Sequence, residues 1–149
     1  MFDRETLPDG ATVLRTERCS FTLSRPRPGV FLVRIVGNDR GEFGDAPFDL
    51  VLAEIGRFGE LELFVDTSGV EGVVSRVREA WTAWFRTHQG RLTRVHILSG
   101  SSRFVATTMN ISKELSRTGE LIRVHEDPAT FAEALARATG EGPRARPAR

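Results

Sequence analysis

The chain has 149 residues, of which 40% are hydrophobic and 28% are charged, and this length and composition indicate one globular domain with its own core. Its 21 basic and 20 acidic residues leave a formal net charge of +1. That balance argues against a general nucleic-acid binder, because such proteins carry a strong basic excess. The single cysteine excludes an internal disulfide and a multi-cysteine zinc site.

The ends of the sequence are polar, and the start does not resemble a targeting segment. Residues 1–10 lack a basic start followed by an apolar stretch, and no apolar run approaches the roughly 20 residues of a membrane helix. We therefore predict a cytoplasmic protein without membrane insertion. Pro8 and Gly10 predict a flexible lead-in over 1–10. The Gly-, Pro- and Arg-containing residues 139–149 predict a disordered tail, which leaves 11–138 as one domain.

Three strands and a helix are predicted in the first half of this domain. Residues 11–16 and 19–24 are rich in β-branched and aromatic types, which predicts two strands. The two prolines of 25–29 are expected to interrupt regular structure. Residues 30–36 predict a further strand. An Asp-Ala-Pro start and apolar residues at helical spacing then predict a helix over 45–59.

The second half predicts an alternation of strands and helices. Its elements are strand 61–66, helix 68–88, strand 92–98, helix 104–115, strand 121–125 and a last helix that begins at Asp127 and Pro128. The start of the helix at 68 rests on Ser68 and Glu71, which lie three residues apart and match a capping box.

This order predicts an α/β fold with a mixed, mainly parallel sheet and added N-terminal strands, because alternating strands and helices form parallel pairs with right-handed crossovers. A sheet covered on both faces has continuous apolar strands. Here one face of the predicted strands repeatedly carries polar residues, which are Arg34, Glu62, Asp66, His96, Arg123 and His125. The helices are therefore expected mostly on one face.

The sequence lacks a P-loop, a Gly-x-Gly-x-x-Gly turn, a His-Glu-x-x-His helix and a Gly-x-Ser-x-Gly turn. Cys19 is interpreted as a small buried hydrophobe. His96 and His125 each lie on a predicted parallel strand, on its more polar face, and their rings could approach each other if the two strands are neighbours. We interpret them as surface residues of a half-exposed face. A metal site with Glu62 or Asp66, or an enzyme that uses either histidine, is the minor alternative. We predict no cofactor and no metal.

Open α/β sheets bind ligands at the carboxyl ends of their strands. In this chain those ends bring together hydroxyls, charged groups and free helix N-termini, which suit an anion or a partner protein. Helix capping is the simpler role for the serines. The predicted rim consists of Asp39, Asp66, Thr67, Ser68, Arg76, Ser101 and Ser102.

Several stretches match a known family in element order and short motifs. Residues 33–37 with 46–50 resemble its first core strand and its Ala-Pro helix start. Residues 63–70 resemble its strand that ends in Ser-Gly-Val, and 95–98 and 122–125 fit its later strands. The family is that of the STAS domains, which includes anti-sigma-factor antagonists and sulfate-transporter tails and has a SpoIIAA-like fold.

The resemblance implies a phosphoacceptor serine. In regulatory STAS proteins this serine follows an aspartate at a helix start, within Asp-Ser-Ser-Gly or Asp-Ser-Thr-Gly. Counting from Ser68, the matching residue is Ser75, which is flanked by Val74 and Arg76. The aspartate, the second hydroxyl and the glycine are missing, so the motif is degenerate. A divergent STAS/SEC14-like branch also lacks it and resembles this chain at least as well.

The favoured function is a non-catalytic regulatory module that binds another protein, a regulator or a kinase-like partner, through the rim over 66–76. No nucleophile with its base is evident, which favours binding over catalysis. The alternative is a STAS/SEC14-like binder of a small anionic or apolar ligand, held near Thr67, Ser68, Ser101 and Ser102. Trp81, Trp84 and Phe85 are expected in the core. The alternative is that they form the contact surface of a homodimer or bind a partner.

Overall fold

The structure is a computed structural model that describes residues 2–99 and 121–140. Its strands are β1 (Asp3–Thr6), β2 (Thr12–Arg15), β3 (Cys19–Arg27), β4 (Val30–Asp39), β5 (Leu61–Val73), β6 (Leu92–Leu98) and β7 (Ile122–His125). Its helices are α1 (Ala46–Phe58), α2 (Ser75–His88) and α3 (Pro128–Thr139), and a 3-10 turn follows α2 at Gln89–Arg91. The helix predicted over 104–115, the rim residues Ser101 and Ser102, and the tail beyond Gly140 lie outside the described residues.

The seven strands form one mixed sheet in chain order. The pairs β1–β2, β2–β3 and β3–β4 are antiparallel, whereas β4–β5, β5–β6 and β6–β7 are parallel. In the parallel part Val33, Val65 and Ile97 lie side by side across the strands. The α/β class and the mixed sheet with added N-terminal strands are thereby confirmed.

The helices divide unequally between the two faces of the sheet. The larger core lies where α1 and α2 pack, and it contains Val33, Leu63 and Val95, each 0% exposed. Side chains alternate along a strand, so Leu32 and Phe64 point to the opposite face, where α3 packs. We call these the two-helix face and the α3 face. Two of the three described helices therefore share one face, as predicted.

The aromatic residues of α2 belong to the two-helix face. Trp84 and Phe85 are buried, and the partly buried Trp81 packs against them and against Phe48 of α1. The interpretation of this stripe as core is confirmed for the two buried residues. Trp81 reaches the surface near the start of α1.

The first strand was not predicted from the sequence. Asp3–Thr6 pairs antiparallel with Thr12–Arg15, where a flexible lead-in was predicted. All four side chains of β1 are exposed, so no apolar alternation indicated a strand. β3 also continues to Arg27, past the predicted break. Its pairing shifts register between Ser24 and Arg27, and such an irregularity accommodates the missing donor of Pro26.

The predicted helix start at Ser68 is wrong, because β5 continues to Val73. Glycines at 69 and 72 allow this extension to lie close beside β4. A Cβ at Gly69 would lie 3.0 Å from Cγ2 of Val36, and one at Gly72 would lie 2.5 Å from Oδ1 of Asn38. The helix begins only at Ser75, so strand pairing prevails over the capping box.

Candidate functional site

Ser75, the candidate phosphoacceptor, is the first residue of α2 and is exposed. The Arg78 side chain lies over this turn. Its Nη2 donates a hydrogen bond to Ser75 Oγ at 3.1 Å, and its Nη1 donates one to the carbonyl of Val73 at 3.1 Å. Val74 is the N-cap and contributes no side-chain hydrogen bond. The hydroxyl therefore lies at a positively polarised helix end that has a guanidinium beside it.

Asp39 and Arg76 connect the end of β4 to the start of α2. Asp39 is 5% exposed, and its Oδ1 accepts a hydrogen bond from the backbone N–H of Gly41 at 3.0 Å. Its carbonyl accepts from the N–H of Val74 at 3.2 Å. Arg76 Nη2 donates to the carbonyl of Arg40 at 2.7 Å. Burial raises the pKa of Asp39, and Glu42 adds to this effect, whereas the Gly41 hydrogen bond and Arg76 oppose it.

A cavity of about 210 Å³ opens between these two residues and the aromatic side chains behind them. We call it the rim cavity. Its charged lining is Asp39, Asp45 and Arg76, and its apolar lining includes Phe43, Phe48, Val77 and Trp81. The volume is that of one large side chain, and the cavity combines an apolar interior with a charged mouth.

The remaining described rim residues are already bonded within the chain. Thr67 Oγ1 donates to the carbonyl of Leu98 at 2.7 Å. Asp66 Oδ1 accepts from the N–H of Ser68 at 2.9 Å and from its hydroxyl at 2.6 Å, while Asp66 Oδ2 lies 3.3 Å from Arg34 Nε. Asp66 and Ser68 share the α3 face with Phe64 because side chains alternate along β5. The predicted rim therefore separates into two places.

Cys19 is 3% exposed and belongs to the core of the two-helix face. Burial, with smaller contributions from Asp39 and Glu42, raises the pKa of its thiol to about 12. A thiol that does not ionise near neutral pH is a poor nucleophile. The interpretation of Cys19 as a small buried hydrophobe is confirmed.

The two strand histidines are buried, at 6% exposed for His96 and 7% for His125, so their interpretation as surface residues was wrong. His96 Nδ1 lies 3.1 Å from His125 Nε2. His96 Nε2 lies 2.9 Å from Oε2 of Glu62, and His125 Nδ1 lies 2.9 Å from Oγ1 of Thr130. The rings are buried because α3 covers them and because His96 stacks on Phe64, with 4.3 Å between ring centroids.

All four imidazole nitrogens of the pair thus have a partner inside the chain. Burial is the largest cause that lowers the pKa of His96, and Glu62 opposes it while His125 and Arg94 add to it. Burial and then Arg123 lower the pKa of His125. Within residues 2–99 and 121–140, no group of three or more His, Cys, Asp or Glu side chains is placed to hold a metal ion.

No family model matches the sequence, and no curated protein matches it. Among solved structures, the chain is similar to an uncharacterised protein of the DUF3478 family with a SpoIIAA-like fold from Shewanella loihica PV-4. The two share 12% sequence identity with a TM-score of 0.58, over 81% of this chain and 96% of the other.

This chain therefore has a SpoIIAA-like fold, as the resemblance to STAS domains implied. At this identity the similarity concerns the fold, and function has to be argued from the sites. Of the described helices, none has the length and apolar character that a membrane crossing requires.

Proposed function

We propose that this chain is a non-catalytic regulatory module of the STAS type that binds another protein at the rim cavity, with Ser75 as its phosphoacceptor. One observation carries the proposal. Ser75, whose side chain is exposed, directly precedes Arg76 and Val77 in the sequence, and both of these residues line the rim cavity. A modification at Ser75 therefore acts at the mouth of a cavity that fits one side chain of a partner.

A phosphate on Ser75 would add a charge of about −1.5 to −2 and three acceptor oxygens. Arg78 already donates to the Ser75 hydroxyl, and Arg76 is the next residue along the helix. Arg76 now binds the Arg40 carbonyl at 2.7 Å, and the phosphate would compete for this guanidinium. Because Arg76 forms the charged mouth of the rim cavity, phosphorylation would change the surface that the partner meets.

The rim cavity suits a partner that inserts a single apolar or aromatic side chain. Such anchors, buried in a pocket and surrounded by polar contacts, provide most of the binding energy of many interfaces. The partner itself would be a regulator or a kinase-like protein, since the serine needs an enzyme that phosphorylates it. The flanking residues Val74 and Arg76 differ from the regulatory STAS motif, so this enzyme would read a different local sequence.

The test is an affinity capture from the native lysate with tagged wild-type protein, Ser75→Ala and Ser75→Asp, read by quantitative mass spectrometry. The matched control is Thr87→Asp, which introduces the same charge at an exposed hydroxyl residue of the same helix. We expect one protein to be retained by wild type, Ser75→Ala and Thr87→Asp and to be reduced about tenfold by Ser75→Asp.

Two other results would count against the proposal. Retention of the same proteins by wild type and all three variants would mean that Ser75 does not regulate binding. If Arg76→Glu retains the partner as well, the partner does not use the rim cavity. Circular dichroism of each variant has to show an unchanged fold before its binding is interpreted.

A further inference from the structure

A larger cleft, of about 660 Å³, lies on the α3 face beside the histidine pair. We call it the histidine cleft. Its charged and titratable lining includes Glu62, Arg94, His96, Arg123, His125 and Arg137. On the α3 side the lining also includes Ala134 and Ala138, whose small side chains leave the cleft open. This volume lies within the range of small-molecule sites.

Three arginines of the cleft come from three different elements and have no partner among the described residues. Arg94 of β6, Arg123 of β7 and Arg137 of α3 form no hydrogen bond or ion pair with residues 2–99 and 121–140. Elsewhere on the sheet, by contrast, Arg34 pairs with Asp66. Like charges that line one cleft repel each other, so the grouping of these arginines does not by itself stabilise the fold.

The acidic groups of the cleft do not neutralise the three arginines. Glu62 is engaged with His96 at 2.9 Å, and Glu133 on the exposed side of α3 forms no ion pair with the described residues. The Asp127 carboxylate is occupied as the N-cap of α3, where its Oδ1 accepts from the N–H of Ala129 at 2.9 Å. As far as residues 2–99 and 121–140 are concerned, the cleft therefore has unused donors for an anion.

The hydrogen-bond network beneath the arginines can take up one proton without losing a bond. With both rings neutral, Thr130 donates to His125 Nδ1, His125 Nε2 donates to His96 Nδ1, and His96 Nε2 donates to the Glu62 carboxylate. When His125 Nδ1 gains a proton it becomes a donor to Thr130 Oγ1. The threonine hydroxyl then turns to the carbonyl of Asp127, which lies 3.0 Å away.

We propose that the histidine cleft binds a small molecule that carries a phosphate or a carboxylate group, held by Arg94, Arg123 and Arg137 next to the histidine pair. Guanidinium groups bind these anions through paired charge-assisted hydrogen bonds. The arginines come from two parallel strands and one helix of a packed structure, so their backbone positions are fixed before the ligand arrives. This inference is independent of the rim cavity, which lies on the two-helix face.

Ligand binding is expected to be coupled to proton uptake by the histidine pair. Arg94 and Arg123 help to keep the rings neutral in the free protein, since each lowers the pKa of the histidine on its own strand. A bound anion offsets these charges and thereby favours the protonated pair. The other charged groups that face the pair are Glu62 from β5 and Glu133 and Arg137 from α3. The carbonyl of Asp127 lies near it, 3.0 Å from Thr130 Oγ1.

The test is a proton NMR titration of the histidine ring signals with inorganic phosphate and, separately, with succinate at constant ionic strength. The chain has three histidines, and the third, His88, lies on α2 and serves as an internal control. We expect the signals of His96 and His125, assigned from His96→Gln and His125→Gln, to shift with saturation by at least one of the two anions, while His88 stays unchanged.

Arg94→Gln/Arg123→Gln is expected to weaken this binding about tenfold or more, since charge-assisted hydrogen bonds are lost. Arg57→Gln is the matched control, because Arg57 is an exposed arginine of α1 without an ion pair among the described residues. Saturation by phosphate alone would indicate a phosphorylated ligand, and saturation by succinate alone a carboxylic acid. The inference is overturned if neither anion shifts the two signals up to about 10 mM, or if the double variant binds like wild type.

Discussion

His96 Nδ1 lies 3.1 Å from His125 Nε2, and this contact joins residues 29 positions apart in the sequence. The parallel register of β6 and β7 produces it. His96 pairs with Arg123 and Leu98 pairs with His125, so the two rings lie diagonally on the same face. The hydrogen bonds to Glu62 and Thr130 then fix the rings at the ends of the pair.

The buried pair predicts a loss of stability in acid. Both histidines have a pKa below their ordinary value of 6.5, mainly because of burial. As the pH falls through 6.5, the unfolded chain takes up protons that the folded chain does not, and the free energy of unfolding decreases. Stability is thus fully present above this value and is lost progressively below it. Urea unfolding at pH 7.5, 6.0 and 5.0 measures this loss.

The variant that isolates the effect is His125→Gln, which removes one titrating ring and keeps a polar side chain in the site. We expect its free energy of unfolding to be lower than that of wild type at pH 7.5 and to depend less on pH. His88→Gln, on the two-helix face, should retain the wild-type slope between pH 7.5 and 5.0. An identical slope for wild type and His125→Gln would contradict the assignment of the effect to the pair.

The polar face was predictable from the sequence, whereas the histidine cleft was not. Period-two alternation placed Glu62, His96 and His125 on one face, and the structure agrees. The sequence did not show that α3 lies over this face and buries the rings. Helix placement depends on the packing of Phe131 against Phe64, which is a long-range contact. Arg94 and Arg137 were missed because a single arginine in a strand or helix carries no local pattern.

A second prediction concerns Gly37, where β4 passes the turn before β3. Its φ is +99°, and a Cβ there would lie 2.0 Å from the carbonyl oxygen of Arg18. That carbonyl accepts a hydrogen bond from the N–H of Asn38 at 2.8 Å, so it has little freedom to move. We expect Gly37→Ala to lower the free energy of unfolding by about 2 to 4 kcal/mol through backbone strain and steric overlap.

The control for this substitution is Gly29→Ala. Gly29 has a similar φ of +86° but open space around its missing side chain, so alanine there adds only the backbone strain of about 1 kcal/mol. Urea unfolding midpoints of the two variants separate the steric contribution from the backbone contribution. Equal losses for both would show that the Arg18 carbonyl does not restrict position 37.

A third prediction concerns the ion pair between Arg25 of β3 and Glu54 of α1. Glu54 is 5% exposed, and two nitrogens of Arg25 bind its carboxylate. Arg25→Ala leaves this carboxylate buried without its partner, which we expect to cost about 1 to 3 kcal/mol after allowance for the partial exposure of Arg25. Thermal or urea unfolding of Arg25→Ala and of Arg25→Met/Glu54→Leu tests this, because the double variant should recover part of the loss.

The exposed pair Arg15–Glu5 gives a matched comparison. Its atoms lie 3.6 Å apart and both side chains are 55% exposed, so Arg15→Ala is expected to change stability by less than about 1 kcal/mol. A loss for Arg15→Ala as large as that for Arg25→Ala would mean that burial of Glu54 does not determine the energy of its ion pair.

The fold could be predicted from the sequence, whereas the start of α2 could not, because two glycines let β5 continue past the predicted start of the helix. Four strand–helix alternations indicated the parallel sheet, because each element has its own apolar period. Ser68 and Glu71 satisfied a local capping pattern, but Gly69 and Gly72 let β5 pair with β4 as far as Val73. Such an extension depends on the neighbouring strand and not on local residue types.

Because α2 begins at Ser75, the structure shows in physical terms what the degenerate motif lacks. The regulatory STAS proteins have an aspartate before the serine, and the matching residue here is Val74, the N-cap of α2. Valine has no oxygen to accept a hydrogen bond from the first turn. Val74 has an extended backbone with φ −75° and ψ 155°, which is the conformation of an N-cap residue.

We therefore predict that Val74→Asp stabilises the protein by about 0.5 to 2 kcal/mol, because its carboxylate can accept a hydrogen bond from an N–H of the first turn and is attracted to the positive end of the helix. Val74→Asn provides a cap without the charge and should give a smaller gain, while Val74→Ala should give none. Urea unfolding of the three variants measures these differences. A loss of stability with both Asp and Asn would show that the partial burial of Val74 outweighs capping, and that the first turn of α2 depends on Arg78 and on the Asp39 carbonyl instead.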